Sequence, residues 1–410
     1  MSDPRQGPLA GLRALDLAGE PGLFAGRMLA ELGAEVIRVE PPGGDAVRRR
    51  PPFLDGSDPA ISLYHLHFNA GKRGLTLDIR HPDGAALLRR LAAVSDIWID
   101  SAAPGEMDAL GLGYARLAAA QPGLVYATIT PFGQEGPMRD YRANDLIGAA
   151  MSGLMYLNGM PEDPPNVPGA EQAYHMAALA AVSAALVAIA GRERDPERRG
   201  RRIDVSIQEA ASMATLQTAN ANIYAWHHRI PVRTGMSALG SGRALFACRD
   251  GKWISFTIPV GPGPFFGFFL DWLAEAGVAH ELSEAWLDPS YRTQHSAPVM
   301  DAIAALCLKH DREALFHEGQ RRRLLVMPVN DVADLVHDRQ LRARDYFAAV
   351  AHPALGRTLE LPGAAYHFSA TAAGIRTPAP AAGEHTDELL ETLLGVDRAE
   401  RDRLRREGVL

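Results

Sequence analysis

The stretch from Leu12 to Asp45, LRALDLAGEPGLFAGRMLAELGAEVIRVEPPGGD, constrains the chain more than any other. Leu12, Ala14, Leu15 and Leu17 form a short apolar run that suits a buried parallel strand. Gly19, Pro21 and Gly22 break the run, and Leu23, Phe24, Met28, Leu29 and Leu32 then recur at helical spacing. Gly33 stands where a helix C-cap belongs, because it takes the left-handed conformation without a Cβ clash. Val36, Ile37 and Val39 make a second strand, closed by Glu40 and the turn Pro41-Pro42-Gly43-Gly44. This is a strand–helix–strand unit at the start of an α/β domain.

Glu40 ends the second strand, where a dinucleotide-binding fold places its ribose acid. The glycines nevertheless run Gly19, Gly22, Gly26, which is not the G-x-G-x-x-G pattern, and Glu20 would set negative charge beside a pyrophosphate. A plain βαβ unit without NAD is the better reading.

At 410 residues the chain can bury a large core and is long enough for two domains. With 47% hydrophobic and 22% charged residues it has the composition of an ordinary globular protein, and a net charge of −7 argues against nucleic acid as a partner. Cys248 and Cys307 are far apart and outside any C-x-x-C, so they make no metal or disulfide framework and fit a reducing cytosol. The opening MSDPRQGPLAG has no apolar signal core, and a cytoplasmic location is the expectation. Met176 to Ala190, the most apolar run, is Ala-rich and too short to span a bilayer, which makes it a buried helix.

Further along, His67 to Arg80 turns at Gly71 into a strand from Leu75 to Ile79, and Pro82 and Asp83 start a helix from Gly84 to Val94. Strands follow at Ile97 to Ile99 and Leu124 to Thr130, with a short helix from Tyr114 to Ala120 between them. Strands alternating with helices predict a doubly wound, mostly parallel sheet whose working crevice lies at the strand C-termini. Helices are expected over Asp145 to Leu157 and Glu171 to Ala190, then a charged loop, Gly191 to Arg202, and a strand at Ile203 to Val205. Ala244 to Cys248 and Lys252 to Phe256 flank Arg249-Asp250-Gly251 and predict a β-hairpin, with helices near 265–276, 297–310 and 313–322. The expected organisation is α/β: a large Rossmann-like domain over 1–200, a linker helix over 201–230, a smaller α+β domain over 231–325, and a return to the large domain over 326–410.

His65 and His67 are read on one strand face, but no third ligand lies near them and no metal is expected. There is no G-x-S-x-G elbow, P-loop or H-E-x-x-H. Arg38, Arg48, Lys72 and Arg73 give a cationic crevice suited to a phosphate-bearing ligand.

Several stretches together resemble the class III CoA-transferases, the CaiB–BaiF group. They are Leu32 to Glu40 with Pro41 to Asp45, Asn69 to Asp78, Pro104-Gly105 with Leu110 to Tyr114, Phe132 to Pro137, Asp145 to Gly153, Gly200 to Ser206, Pro328 to Asn330 and Gly383 to Thr386. The resemblance implies a Rossmann-like large domain built from both chain ends, a smaller middle domain and an interlocked-ring dimer. It implies coenzyme A as ligand, acyl-CoA and a small carboxylic acid as substrates, and Arg38, Lys72 and Arg142 as CoA-contacting cations. Arg73 joins them in the cationic crevice. Ser101 stands where the family usually has Asn, Ala109 where it often has Arg, and Gly240 falls in the family's mobile glycine loop.

The family's mechanism uses an aspartate nucleophile at the head of the Ala-rich helix, which forms a mixed anhydride and then a thioester. Here that segment reads Pro168-Gly169-Ala170-Glu171-Gln172-Ala173-Tyr174-His175-Met176, and alignment on Leu179 puts Tyr174 in the aspartate's place. A phenol cannot form the anhydride. The two-base pair of the racemase branch is missing too, since Asn144 replaces the histidine before Asp145 and Tyr174 replaces the carboxylate. Three readings stay open. The chain is the subunit without the nucleophile in a heteromeric CoA-transferase, beside an Asp-bearing paralogue. Or it is a homomeric enzyme with changed chemistry that uses Glu171, Tyr174 or His175. Or it is a binding or scaffold protein that has lost CoA.

Overall fold

A computed structural model describes residues 7–55, 61–216, 224–226, 228–233, 237–238, 242–258 and 263–410. Its internal contacts divide the chain into one unit of Met1–Met155, Val167–Arg229 and Ala343–Leu410, and a second of Tyr156–Asn166 and Ile230–Arg342.

The first unit opens with β1 (Arg13–Leu17), α1 (Leu23–Glu31) and β2 (Glu35–Glu40). α1 stops at Gly33, whose φ of 96° lets its N–H reach Ala30 O at 3.0 Å while Ala34 N–H reaches Leu29 O at 3.0 Å. These two bonds close the last carbonyls of the helix in a Schellman turn. A Cβ on Gly33 would stand 2.7 Å from the Gly7 Cα, so the site needs glycine for space as well as for φ. The chain continues through α2 (Leu63–Phe68), β3 (Arg73–Thr76), α3 (Pro82–Ala93), β4 (Ile97–Asp100), α4 (Glu106–Ala109), α5 (Tyr114–Ala120) and β5 (Val125–Thr130). Then come α6 (Asp145–Met151), α7 (Leu154–Leu157), α8 (Gln172–Arg192), β6 (Arg202–Ser206) and α9 (Ile207–Leu216).

The six strands form one parallel sheet in the order β3-β2-β1-β4-β5-β6. Both faces are covered. On one, Leu29 of α1 and the alanines 173, 177, 178, 181 and 185 of α8 pack against Ile99, Val125 and Ile129. On the other, Leu87, Leu88 and Leu91 of α3 lie with Leu75, Trp98 and Tyr126. The C-terminal helices Thr386–Leu394 and Arg398–Arg406 add Leu389, Leu390 and Leu404 to that second layer. The strand order reverses between β1 and β4, and in such sheets a crevice opens there, outside the strand C-termini.

Several sequence expectations change. The Ala-rich helix runs 21 residues rather than stopping at Ala190, and by length and composition it could cross a membrane. Its alanine stripe is instead buried beside the sheet, because small side chains allow close approach of α1 and α9, while Leu179 and Val187 stay exposed. The expected helix from Asp145 to Leu157 breaks at Gly153, whose φ is 80°. His65 and His67 lie on α2 rather than on a strand, so i,i+2 spacing turns them to different sides. His65 Nε2 stands 3.2 Å from Pro380 O, and His67 is packed by Phe68 and Arg27; burial lowers them to about 4 and about 3, and both are neutral.

The second unit has a three-stranded antiparallel sheet of Leu245–Ala247, Trp253–Thr257 and Leu325–Val329, with Trp253–Thr257 in the centre. Gly251, at φ 75°, turns the hairpin. Helices Phe265–Glu275, Ala297–Lys309 and Arg312–Arg321 cover it around Phe256, Phe269, Ile303 and Leu315. Leu325–Val329 belongs to this sheet, so the chain returns to the first unit at Ala343 rather than at 326. Cys248 and Cys307 are buried in this core as free thiols.

Candidate functional site: the crevice at the strand C-termini

Asp16, the penultimate residue of β1, is wholly buried between Leu15 and Leu17. Its Oδ2 accepts from Lys72 Nζ at 2.7 Å, and its Oδ1 accepts from Arg38 Nη1 at 3.2 Å and from Ala18 N at 3.0 Å. Lys72 Nζ also donates to Leu23 O at 2.9 Å and Asn69 Oδ1 at 3.0 Å, which occupies all three ammonium protons. Burial lowers the Lys72 ammonium to about 8, with Asp16 pulling the other way. Arg38 donates further to Ala18 O and Asp45. Gly26 makes room for this knot, since a Cβ there would sit 2.2 Å from Asp16 Oδ2.

The β1 and β4 loops meet where Gly19 N donates to Ser101 Oγ at 2.7 Å. A cavity of 250 Å³ lies on the β2–β3 side, lined by Leu17, Gly19, Arg38, Glu40, Asp78 and Met107. A second, of 130 Å³, lies on the β5–β6 side, lined by Asp100, Ala102, Tyr114, Tyr126, Gln134 and Arg202. Asp100 accepts from Trp98 Nε1 at 2.7 Å and Ala102 N at 3.0 Å, yet burial pushes its carboxyl up to about 6. Glu40, the acid that invites a ribose reading, is gripped by Arg48 through Nε at 2.9 Å and Nη2 at 2.6 Å. Burial alone would raise Glu40, but Arg48 holds it below the usual range.

Of the other predicted cations, Arg73 pairs with Glu35 at 2.7 Å and Glu388 at 2.8 Å. Glu35, the first residue of β2, also takes Arg13 at 2.8 Å, so Arg73 faces the N-terminal edge of the sheet, away from the crevice. The reason is register: Arg73 begins β3 and its nearest acids lie behind it. Arg142 is exposed in the loop before α6, and Ala109 is exposed at the end of α4.

At the head of α8 the backbone is strained, with Ala170 and Glu171 both left-handed at φ 63° and 52°. Each such non-glycine residue costs on the order of 1–3 kcal/mol, and such residues gather at functional sites. Asn144 caps α6 by accepting from Ile147 N at 3.2 Å. Asp145 then reaches across to accept from Tyr174 N at 3.0 Å. Burial raises the Asp145 carboxyl, against the pull of those amide donors. Tyr174 itself is buried among the alanines of the sheet-side core, and burial raises its phenol to about 12. His175 lies edge-on to Phe24 at 5.2 Å, and burial lowers it.

Glu171 differs from these neighbours. Its Oε2 accepts from Tyr64 OH at 2.8 Å and its Oε1 from Arg50. Arg50 Nη1 in turn stands 3.0 Å from Glu20 Oε1, in the loop that leaves β1. The carboxylate at the head of α8 is thus tied to the crevice loop by a single guanidinium. Arg50 and Tyr64 had no signal in the sequence, since Arg50 sits in an undistinguished run Arg48-Arg49-Arg50 and Tyr64 reads as packing. Asp16 could have been noticed as an acid inside the apolar run Leu15-Asp16-Leu17. Gly240 lies outside the described residues. Among the described residues, no group of three or more His, Cys, Asp or Glu side chains could hold a metal.

A model of CoA-transferase family III matches residues 9–386. The chain belongs to that family. The transferase is 32% identical over 410 residues to the BbsE subunit of succinyl-CoA:(R)-benzylsuccinate CoA-transferase from Thauera aromatica, across 97% of each chain. It is 31% identical to the β subunit of succinyl-CoA–L-malate CoA-transferase from Chloroflexus aurantiacus, across 95% of each. It is 32% identical to succinate–glutarate CoA-transferase from Agrobacterium fabrum, across 96% of this chain and 98% of that one. A CAIB/BAIF family protein from Brucella suis superposes on it with a TM-score of 0.83 at 29% identity, over 95% of this chain and all of the other. The transferase is therefore a family III enzyme whose relatives act on acyl-CoA and carboxylic acids, some of them as subunits of heteromers.

Proposed function

We propose that this chain transfers CoA from succinyl-CoA to a small carboxylic acid, with Glu171 as the covalent nucleophile. The observation that carries the reading is the carboxylate of Glu171 at the head of α8, tied through Arg50 to the β1 loop, while Tyr174 is a buried phenol. The family's nucleophile is thus replaced by a longer carboxylate one helical turn earlier, rather than lost.

The chemistry follows from a carboxylate in that place. Glu171 attacks the thioester carbonyl of succinyl-CoA and CoA thiolate leaves, giving a mixed anhydride. The thiolate attacks the glutamyl carbonyl carbon, releasing succinate and leaving a glutamyl-CoA thioester. The carboxylate of the incoming acid attacks that thioester, thiolate leaves again, and its return to the substrate carbonyl gives the new acyl-CoA and frees Glu171. CoA would lie along the strand C-termini, with Ser101, Arg142 and the cavity beside Arg38 as contacts, while Lys72 holds the β1 loop from inside. Succinyl-CoA as donor is supported by the names of the Thauera aromatica and Chloroflexus aurantiacus relatives.

A second chain is expected over the exposed apolar face of Leu146, Ile147 and Met151 on α6, Leu179 and Val187 on α8, and Met213 and Leu216 on α9. The relatives that are subunits support a second reading, in which that chain is a paralogue carrying the acting nucleophile.

The test is to incubate the purified chain with succinyl-CoA, reduce with borohydride and map the modified peptide by mass spectrometry. A reduced carboxylate at Glu171 is expected, and Glu171→Gln should lower the rate about a thousandfold or more. Activity of the pure chain with no adduct at Glu171 refutes the assignment, and an inert chain revived by a paralogue supports the heteromer.

A further inference from the structure

Arg50 sits between two carboxylates. Its Nη2 donates to Glu171 Oε1, its Nη1 is 3.0 Å from Glu20 Oε1, and its guanidinium covers the Tyr64 ring at 4.0 Å. Tyr64 OH holds the other Glu171 oxygen, Oε2, at 2.8 Å. The two oxygens of Glu171 are therefore in different hands. Oε1 faces a cation and Oε2 faces a neutral donor.

We propose that Arg50 is the receptor for the reacting carboxylate of the acid substrate, and that it exchanges Glu171 for that carboxylate as the acyl group moves. The proposal rests on Glu171 being the nucleophile. If Oε1 attacks succinyl-CoA, it becomes the bridging oxygen of the anhydride and Oε2 becomes the glutamyl carbonyl oxygen. When thiolate attacks the glutamyl carbon, the bond from that carbon to the bridging oxygen breaks and the electron pair leaves on the bridging oxygen. That oxygen departs as part of the released carboxylate, still beside the guanidinium that held it. Tyr64 stays on Oε2, which carries the negative charge of the tetrahedral intermediate.

The charge balance favours the same exchange. Acylation neutralises Glu171, and a partly buried guanidinium left beside a neutral anhydride oxygen loses much of that interaction. The charge passes to the CoA thiolate in that step. When the thiolate then attacks the glutamyl carbon, the acid leaves as a carboxylate beside Arg50, so the guanidinium regains an anionic partner in the second step. Glu20 supplies a fixed counter-charge and competes mildly with the acid.

The experiment is exchange of isotopically labelled succinate into succinyl-CoA, measured for the full chain, Arg50→Met, Arg50→Lys and Glu20→Gln after mapping the adduct on the wild type. No adduct at Glu171 in the wild type means the nucleophile reading fails, and this proposal with it. With the adduct present, Arg50→Met should lower kcat/KM for succinate about 100-fold, the lower end of what truncating one partner of a hydrogen-bonded charged pair costs. Added guanidinium should restore part of that loss. Arg50→Lys should fold and raise KM for succinate about tenfold, since a point charge replaces the fork. Glu20→Gln should lower KM for succinate, an effect that a merely structural Arg50 would not produce. A KM for succinate unchanged in Arg50→Lys and not lowered in Glu20→Gln overturns the proposal.

Discussion

Asp145 caps the helix that Glu171 heads: its Oδ1 accepts the Tyr174 amide at 3.0 Å, from a different helix. Glu171, at φ 52°, makes no side-chain cap of its own. The division matters because the amide donors at the start of a helix attract whichever carboxylate is nearest. With Asp145 serving them, the Glu171 carboxylate is left to Arg50 and Tyr64.

Removing that cap should therefore cost stability first and activity second. Asp145→Ala is expected to lower stability by about 1–2 kcal/mol, the usual range for a lost cap. Urea denaturation measures the loss, and adduct formation at Glu171 should slow as its carboxylate turns toward the vacated amides. A variant as stable as the wild type would show that water caps α8 equally well.

Lys72 and Asp16 are both fully buried, 2.7 Å apart. Lys72→Met leaves Asp16 with Arg38 and the Ala18 amide and is expected to cost about 3–5 kcal/mol, the penalty for breaking a buried pair from one side. Gly26→Ala should destabilise by about 1–3 kcal/mol through overpacking, since its Cβ would meet Asp16 Oδ2 at 2.2 Å. Chemical denaturation reads both. A small effect from Lys72→Met would mean the knot reorganises around Arg38.

The Asp100 carboxyl, pushed up to about 6 by burial, makes a pH signature. An unfolded aspartate titrates near about 3.9. Between those values the native chain holds a proton that the unfolded chain has released, so this group makes the fold less stable as pH rises through the window. Asp100→Asn cannot titrate. The stability difference between variant and wild type should thus shift in favour of the variant from pH 4 to pH 6.5, and then level off. A difference constant across that range would show that Asp100 is ionised throughout.

The exposed apolar face of α6, α8 and α9 predicts association. Leu179→Glu with Val187→Glu should yield a smaller species by light scattering while leaving the monomer fold intact, because both side chains are already exposed. A wild-type chain that is monomeric at micromolar concentration would remove the basis for a second chain on this face.

The alternating apolar runs alone carry the α/β architecture, because a buried parallel strand and an amphipathic helix differ in period and each can be read locally. Gly33 as the end of α1 and the hairpin at Gly251 were legible for the same reason, since each depends on a few adjacent residues, and the family was legible from short stretches spread along the chain. The site was less so. Lys72 and Arg38 read as ligand cations, but Asp16 lies beside them only once β1, β2 and β3 are paired. Arg73 reads as part of the crevice, and strand register turns it to the opposite edge. Tyr174 takes the aspartate's place when the sequence is aligned on Leu179. Which side chains meet at the head of α8 depends instead on the backbone there: after the left-handed turn at Ala170 and Glu171, the Glu171 carboxylate lies against Arg50 and Tyr64 while Tyr174 is buried. Arg50 meets Glu20 and Glu171 from three separate parts of the chain, and such a meeting is decided by packing in three dimensions, not by the order of residues.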